Sequence, residues 1–262
     1  MLIINGSVYT EKFRFEKKNI RVDDGKIISV MQDVPTAQPG EEVIDAAGMK
    51  VIPGLADIHF HGCAGYDFCD ASEEAITRMA QYEKSVGVTN ICPATMTLSG
   101  QRLTEICKAA AAHTSGEDEA DLIGINLEGP FISPDRVGAQ NPEYVKRPDA
   151  EMLQRLIDAS GQLVRLVTIA PEVPGAMECI HSMSQKVHFS VGHTMADCEE
   201  AAAAFAEGAD HVTHLYNAMP GLSHRNPGVV GAAADGHRVM AELICDGIHI
   251  HPVAVRAAFT LF

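Results

Sequence analysis

Five residues of this sequence, His59, His61, Glu128, His193 and His214, are of the types that bind transition metals through nitrogen and oxygen. His59 and His61 stand in Asp57-Ile58-His59-Phe60-His61. Residues i and i+2 of a strand point the same way, so both imidazoles can hold one ion. Glu128 stands in Ile125-Asn126-Leu127-Glu128-Gly129-Pro130-Phe131, where a carboxylate at a strand end can bridge two cations. His193 follows Phe189-Ser190-Val191-Gly192, and His214 follows Asp210-His211-Val212-Thr213. Each is a single His closing an apolar run. Imidazole suits Zn, Fe, Co or Ni, and one or two divalent ions, Zn or Fe first, are the expected cofactor. Such a centre lowers the pKa of a bound water to about 7 and delivers hydroxide to a carbonyl. That chemistry hydrolyses an amide or ester without a protein nucleophile.

The elements that must position these residues follow from pattern. The first fifty residues read as short β runs, Leu2–Tyr9, Ile20–Val22, Lys26–Met31, Val43–Asp45 and Lys50–Ile52, with Asp23-Asp24-Gly25 as a hairpin turn. They predict a small, incomplete antiparallel, sandwich-like β domain over 1–52. From Pro53 to Phe262 strands alternate with helices. Strands are expected near Gly54–Ile58, Val88–Pro93, Asp121–Leu127, Leu163–Ile169, Val187–Val191, His211–His214 and Val239–Ile244. Helices are expected at Ser72–Ser85, Gly100–His113, Asp149–Ala159, Gly175–Met183, Met195–Glu207 and after Pro252. This alternation predicts an α/β fold with a parallel sheet. The five metal-type residues fall at strand C-terminal ends, which fits the rim of a (β/α) TIM-type barrel. Neither a Gly-rich dinucleotide fingerprint nor a GxxxxGK[ST] phosphate loop occurs.

Composition narrows the partners. Of 262 residues, 35 are acidic and 20 basic, a formal charge of -15. Nucleic acid and anionic membranes are therefore disfavoured, while a phosphorylated small molecule in a local pocket is compatible. No apolar run reaches the ~18 residues of a membrane helix, and Met1-Leu2-Ile3-Ile4-Asn5-Gly6 carries no basic signal-peptide region. Seven cysteines, scattered without a CxxC pair, suit a reducing cytoplasm. Cys63 and Cys69 follow the two first histidines; they are read as unpaired thiols rather than as thiolate ligands.

The motifs resemble those of the amidohydrolase superfamily, and within it the deacetylases of amino-sugar phosphates. The resemblance spans essentially the whole chain. It rests on Pro53-Gly54-Leu55-Ala56-Asp57-Ile58-His59-Phe60-His61-Gly62, Leu127-Glu128-Gly129-Pro130-Phe131, Gly192-His193-Thr194, Thr213-His214-Leu215-Tyr216-Asn217-Ala218-Met219 and Asp246-Gly247-Ile248-His249. It implies that His59 and His61 hold one metal, His193 and His214 the other, and that Glu128 bridges them. It also implies a substrate pocket. Asn217 and Ala218 would contact a sugar phosphate, Arg225 would pair with its phosphate, Ala139 and Gln140 would line the sugar, and His249 would hydrogen-bond the substrate. The implied reaction is deacetylation of N-acetylglucosamine 6-phosphate, with another N-acyl sugar phosphate as the alternative, in a cytoplasmic homodimer. His113, His181, His188, His211, His224, His237 and His251 receive no role. The superfamily's catalytic Asp, at an eighth strand, has no counterpart, because no Asp follows Asp246. An eighth strand and the C-terminal strands of the β domain are likewise expected to be missing. The expectation is a truncated deacetylase with no assigned general acid–base; the alternative is a catalytically weak or inactive metal-binding fragment.

Overall fold

The computed structural model describes residues 1–236 and 238–262, so His237 lies outside the described residues. Two compact units are present, Met1–Leu55 and Ala56–Phe262. The first holds β1 (Leu2–Tyr9), β2 (Phe15–Asp23), β3 (Lys26–Met31), β4 (Val43–Asp45) and β5 (Lys50–Val51). They form one sheet in the order β3-β2-β1-β4, with β5 also on β1. The β2–β3 hairpin turns through Asp24 (φ 46°) and Gly25 (φ 69°), the left-handed pair that the Asp-Asp-Gly sequence predicts. The expected wholly antiparallel, sandwich-like unit is corrected here: β4 and β5 run parallel to β1 within a single mixed sheet. The loop after β3 carries the chain to the far edge of β1, so the later strands return in the same direction.

The second unit begins within β6 (Leu55–Asp57) and continues with β7 (Gly62–Cys63) and β8 (Tyr66–Asp67), then α1 (Glu73–Ser85) and β9 (Val88–Ile91). Next come β10 (Ala94–Thr95), α2 (Gly100–Ala112), β11 (Asp121–Leu122), β12 (Ile125–Leu127), α3 (Ala150–Ala159) and β13 (Val164–Ile169). The unit ends with α4 (Ala176–Met183), β14 (His188–Val191), α5 (Cys198–Glu207), β15 (His211–Val212), α6 (Gly228–Asp235), β16 (Met240–Ala241) and α7 (Pro252–Leu261). Strands β10-β12-β13-β14-β15-β16 form a parallel sheet, and β11-β9-β6 form a second sheet. Sequential parallel strands with intervening helices make this unit α/β.

Side-chain caps set the helix starts. Ser72 accepts from the Ala75 N–H and Asp149 from the Met152 N–H, each satisfying a free donor of the first turn. An Asp197–Glu200 capping box starts α5 at Cys198, later than the Met195 expected. The Met195 N–H is instead bound by Glu172. Helix α6 was not anticipated: its Gly-Val-Val-Gly-Ala-Ala-Ala-Asp sequence lacks a polar face to reveal its period. The core lies between sheet and helices, around fully buried Leu127, Phe131, Val167, Phe189, Val191 and Val212. Each such side chain contributes roughly 1.5–3 kcal/mol by burial. Among the described residues no helix is long and apolar enough to cross a membrane.

Candidate metal centre and substrate cavity

Parallel strands deliver their C-terminal ends to one place. Glu128 follows β12, His193 follows β14 by one glycine, His214 follows β15, and His59 and His61 follow β6. The two first histidines lie just past the strand rather than inside it, yet both reach Glu128. His59 Nε2 is 3.2 Å from Glu128 Oε1, and His61 Nε2 is 3.2 Å from Oε2. His193 Nε2 and His214 Nε2 lie 3.2 and 3.0 Å from Oε1, and 3.0 Å from each other. Among the described residues two metal-competent groups result, His59–His61–Glu128 and Glu128–His193–His214, sharing the carboxylate.

Local backbone strain aims the second pair. His193 (φ 47°) and His214 (φ 31°) both take left-handed conformations, which cost a non-glycine residue of order 1–3 kcal/mol. Packing enforces them. The His193 carbonyl accepts from Ser133 N–H at 2.9 Å, and Thr194 N–H donates to Ala218 O at 3.1 Å. Gly192 lets the strands close up: a Cβ there would sit 2.6 Å from Thr213 Cβ. Ser190 and Thr168 hydroxyls meet Thr213 Oγ1 at 2.6 and 3.0 Å, so these three buried hydroxyls are paired with one another.

The ring nitrogens facing away from Glu128 have different partners. His61 Nδ1 lies 3.2 Å from Ala94 O and His193 Nδ1 2.9 Å from Arg136 O, while His59 Nδ1 lies 2.6 Å from Glu242 Oε2. Burial works to raise the Glu128 carboxyl, but hydrogen bonds from His193, His214, His59 and His61 hold it far below the ordinary carboxylate range. Burial likewise opposes charge on His59, yet its bonds to Glu128 and Glu242 raise it to about 10.

The donor set fits a divalent ion. Tetrahedral nitrogen and oxygen ligands at ~2.0–2.1 Å stand about 3.3 Å apart, close to the spacings around Glu128 Oε1. The packing of so many lone pairs around one buried carboxylate is balanced by positive charge, from protons or from a metal that competes with them.

A cavity of about 730 Å³ opens over this cluster. Of the residues implied for substrate, Ala139, Gln140, Asn217, Ala218 and His249 line it. Gln140 differs from expectation in its bonding. Its amide nitrogen donates to Glu128 Oε2 and its oxygen accepts from Thr97 N–H at 2.6 Å, so it orients the carboxylate. Arg225 is not brought to the cavity wall; it lies in the exposed 221–226 loop. His249 Nδ1 is 2.6 Å from Asp246 Oδ2. The helix-capping imidazole before Pro252 is that of His251, which accepts from Val253 N–H. Cys63 and Cys69 are free thiols in neither metal group, and burial pushes them up to about 11 and about 12.

Two carboxylates escaped the sequence reading. Glu172 binds Thr194 Oγ1 at 2.5 Å and Met195 N–H at 2.6 Å, fixing the loop after His193. Glu242 lies half-buried against His59 and against His211, whose Nε2 is 3.3 Å from Oε1. The signal for Glu242 was its acid side chain inside the apolar run Val239–Ile244.

Residues 50–260 match the amidohydrolase family. The chain is 37% identical over 264 residues to N-acetylglucosamine-6-phosphate deacetylase of Bacillus subtilis (strain 168), covering 99% of this chain and 67% of that protein. It is 34% identical to N-acetylgalactosamine-6-phosphate deacetylase of Escherichia coli O157:H7, covering 94% of this chain and 64% of that one. A mutant N-acetyl-D-glucosamine-6-phosphate deacetylase from Mycobacterium smegmatis, solved in complex with N-acetyl-D-glucosamine-6-phosphate, superposes with a TM-score of 0.89 at 30% identity. That match covers 100% of this chain and 67% of that one. The chain belongs to the amidohydrolase family. Within it, the chain groups with the N-acetylglucosamine-6-phosphate deacetylases and spans about two thirds of their length.

Proposed function

We propose that this chain carries the metal centre and sugar-phosphate pocket of a deacetylase that converts N-acetylglucosamine 6-phosphate to glucosamine 6-phosphate and acetate. The observation that carries this reading is the convergence of four imidazoles on Glu128 at the wall of a 730 Å³ cavity. His59 and His61 would hold one divalent ion and His193 and His214 another, with Glu128 between them and Zn or Fe as the metal. When bound, such an ion polarises a carbonyl oxygen and brings the pKa of water to about 7.

The chain's own residues do the positioning. Gln140 and Thr97 lock Glu128: the Gln140 amide donates to its carboxylate and Thr97 Oγ1 donates to its carbonyl at 3.1 Å. His249 donates its Nδ1–H to Asp246, so its Nε2 offers a lone pair to a substrate hydroxyl or amide N–H. Asn217, Ala218 and Ala139 face the sugar from the cavity wall. Arg225, in the exposed 221–226 loop, would supply the phosphate contact. We read the arc of parallel strands as part of a (β/α) barrel, and the enzyme as a cytoplasmic homodimer.

A second reading has its own observation. Amide hydrolysis needs a group that takes a proton from water and gives it to the leaving amine. Asp246 lines the cavity, but N–H donors from His249 and Ile248 hold its carboxyl at about 2, which makes it a poor base. Glu242 stands behind His59, and Glu128 is engaged by four imidazoles. A chain without a free proton shuttle binds metal and sugar phosphate but turns over about 10²–10⁴-fold more slowly than one with it. The test is acetate release from N-acetylglucosamine 6-phosphate by the Zn- or Fe-loaded chain beside His193→Ala, with calorimetric binding of the same sugar. Slow, metal-dependent release lost in the variant supports the enzyme reading. Binding with no release supports the second, and neither overturns both. Substituting N-acetylgalactosamine 6-phosphate decides the epimer.

A further inference from the structure

The four imidazoles of the centre are not held alike, and the difference traces to one carboxylate, Glu242. Parallel pairing of β15 with β16, His211 opposite Met240 and Val212 opposite Ala241, brings Glu242 level with the end of β15. Its backbone is pinned to β15 and the residues that follow it, donating to Val212 O at 3.0 Å and accepting from Leu215 N–H at 2.8 Å. The side chain, 12% exposed, then reaches three groups. Oε2 lies 2.6 Å from His59 Nδ1 and accepts from the His214 backbone N–H at 3.1 Å, and Oε1 lies 3.3 Å from His211 Nε2.

A carboxylate against Nδ1 fixes that nitrogen as an N–H, so a metal that displaces the proton between Nε2 and Glu128 would find Nε2 as the free lone pair. Backbone carbonyls play this part for His61 and His193, and His214 Nδ1 is buried with no hydrogen-bond partner. An anion behind an imidazole both fixes the ring and makes it a stronger donor than a neutral carbonyl does. Only the His59–His61–Glu128 position has that support among the described residues.

Resting on the function proposed above, we propose that Glu242 is a positioning residue that acts through His59 and governs occupancy of the His59–His61–Glu128 position, leaving the His193–His214–Glu128 position to bind without it. The measurement is stepwise Co²⁺ titration of the metal-free chain, followed by visible absorption and metal analysis, for the parent chain and Glu242→Gln, Glu242→Ala, His59→Ala and the His59→Ala/Glu242→Ala double variant.

The parent chain is expected to take two ions. Glu242→Ala should weaken one by about 10–100-fold, as loss of a supporting residue typically does, and leave the other unchanged. Glu242→Gln, which keeps the shape and one acceptor, should fall between. In the His59→Ala background, Glu242→Ala should cost nothing more, because its route is gone. Equal loss at both positions, or the same loss with and without His59, would assign Glu242 a general structural role and overturn the inference. Unaltered titration in both Glu242 variants would do so too. If Glu242→Ala does not fold, the comparison of Glu242→Gln with the parent decides. A parent chain that takes up no metal at all would instead refute the proposed function.

Discussion

The two sides of the Glu128 carboxylate are built in opposite ways. The His193 and His214 side chains are 5% and 10% exposed and leave their strands through strained, left-handed backbone locked by packing. His59 and His61, at 16% and 35% exposed, stand on unstrained backbone and depend on side-chain and carbonyl partners for orientation. Pre-organisation is thus stored in the main chain on one side and in hydrogen bonds on the other. A site fixed by folding holds its geometry without the ion. A site fixed by hydrogen bonds, more open to water, gives up its ion more readily.

The largest effect should follow from breaking the buried side. His193→Ala or His214→Ala is expected to remove the tighter ion and lower acetate release by more than the ~10–100-fold that loss of a supporting residue costs. Metal analysis and an acetate assay check this. If His59→Ala cost more than either, the ranking of the two sides would be reversed. His59→Ala itself should remove one ion and keep the other, with dialysis against a chelator stripping the parent's second ion first.

The bridging carboxylate sharpens the comparison next. Gln140 donates to Glu128 Oε2, the oxygen shared with His61, whereas Oε1 faces His193, His214 and His59. Gln140→Leu removes a hydrogen bond to a charged group, worth roughly 1.5–3 kcal/mol. About a ten- to hundredfold weaker hold on the ion at the His61 side is expected, with the buried side less affected. Competition with a fluorescent zinc chelator resolves the two sites, and equal weakening would show that Glu128 responds as one rigid unit.

These contrasts were legible in the sequence to different depths. The five metal-type residues could be read because parallel strands end on a common rim, and each sits where an apolar run stops. The strain at His193 and His214 could not, because it goes with contacts between distant segments, such as Ser133 N–H on His193 O and the close approach of Gly192 to Thr213. Glu242 was hidden for the same kind of reason: its partner His59 is 183 residues away, and only the β15–β16 register joins them. The parallel return of β4 and β5 onto β1 also rests on pairing between segments that local pattern cannot connect. By contrast, Asp24 and Gly25 fold a turn from their own backbone preferences, so that turn is legible in three consecutive residues.

The smallest effect lies at the open flank of the cavity, where Asp246 organises 246–249. Its carboxyl is held at about 2 by the backbone N–H groups of His249 and Ile248 and by the His249 ring. Because the folded value lies below the ordinary 3.8, the order this group supplies is complete above that pH and is lost as pH falls through about 2. Asp246 is exposed, so global stability should scarcely register the change, whereas the amide signals of Ile248 and His249 should hold through pH 4 and shift together below it. Asp246→Asn keeps an acceptor but removes the charge. It should free the His249 ring and raise the KM for the sugar phosphate several-fold with little change in metal content. A fall in metal content would tie this flank to the His59–His61 side. Unchanged KM would leave His249 with no part in binding the sugar, and the cavity's recognition would then rest on Asn217, Ala218 and Ala139.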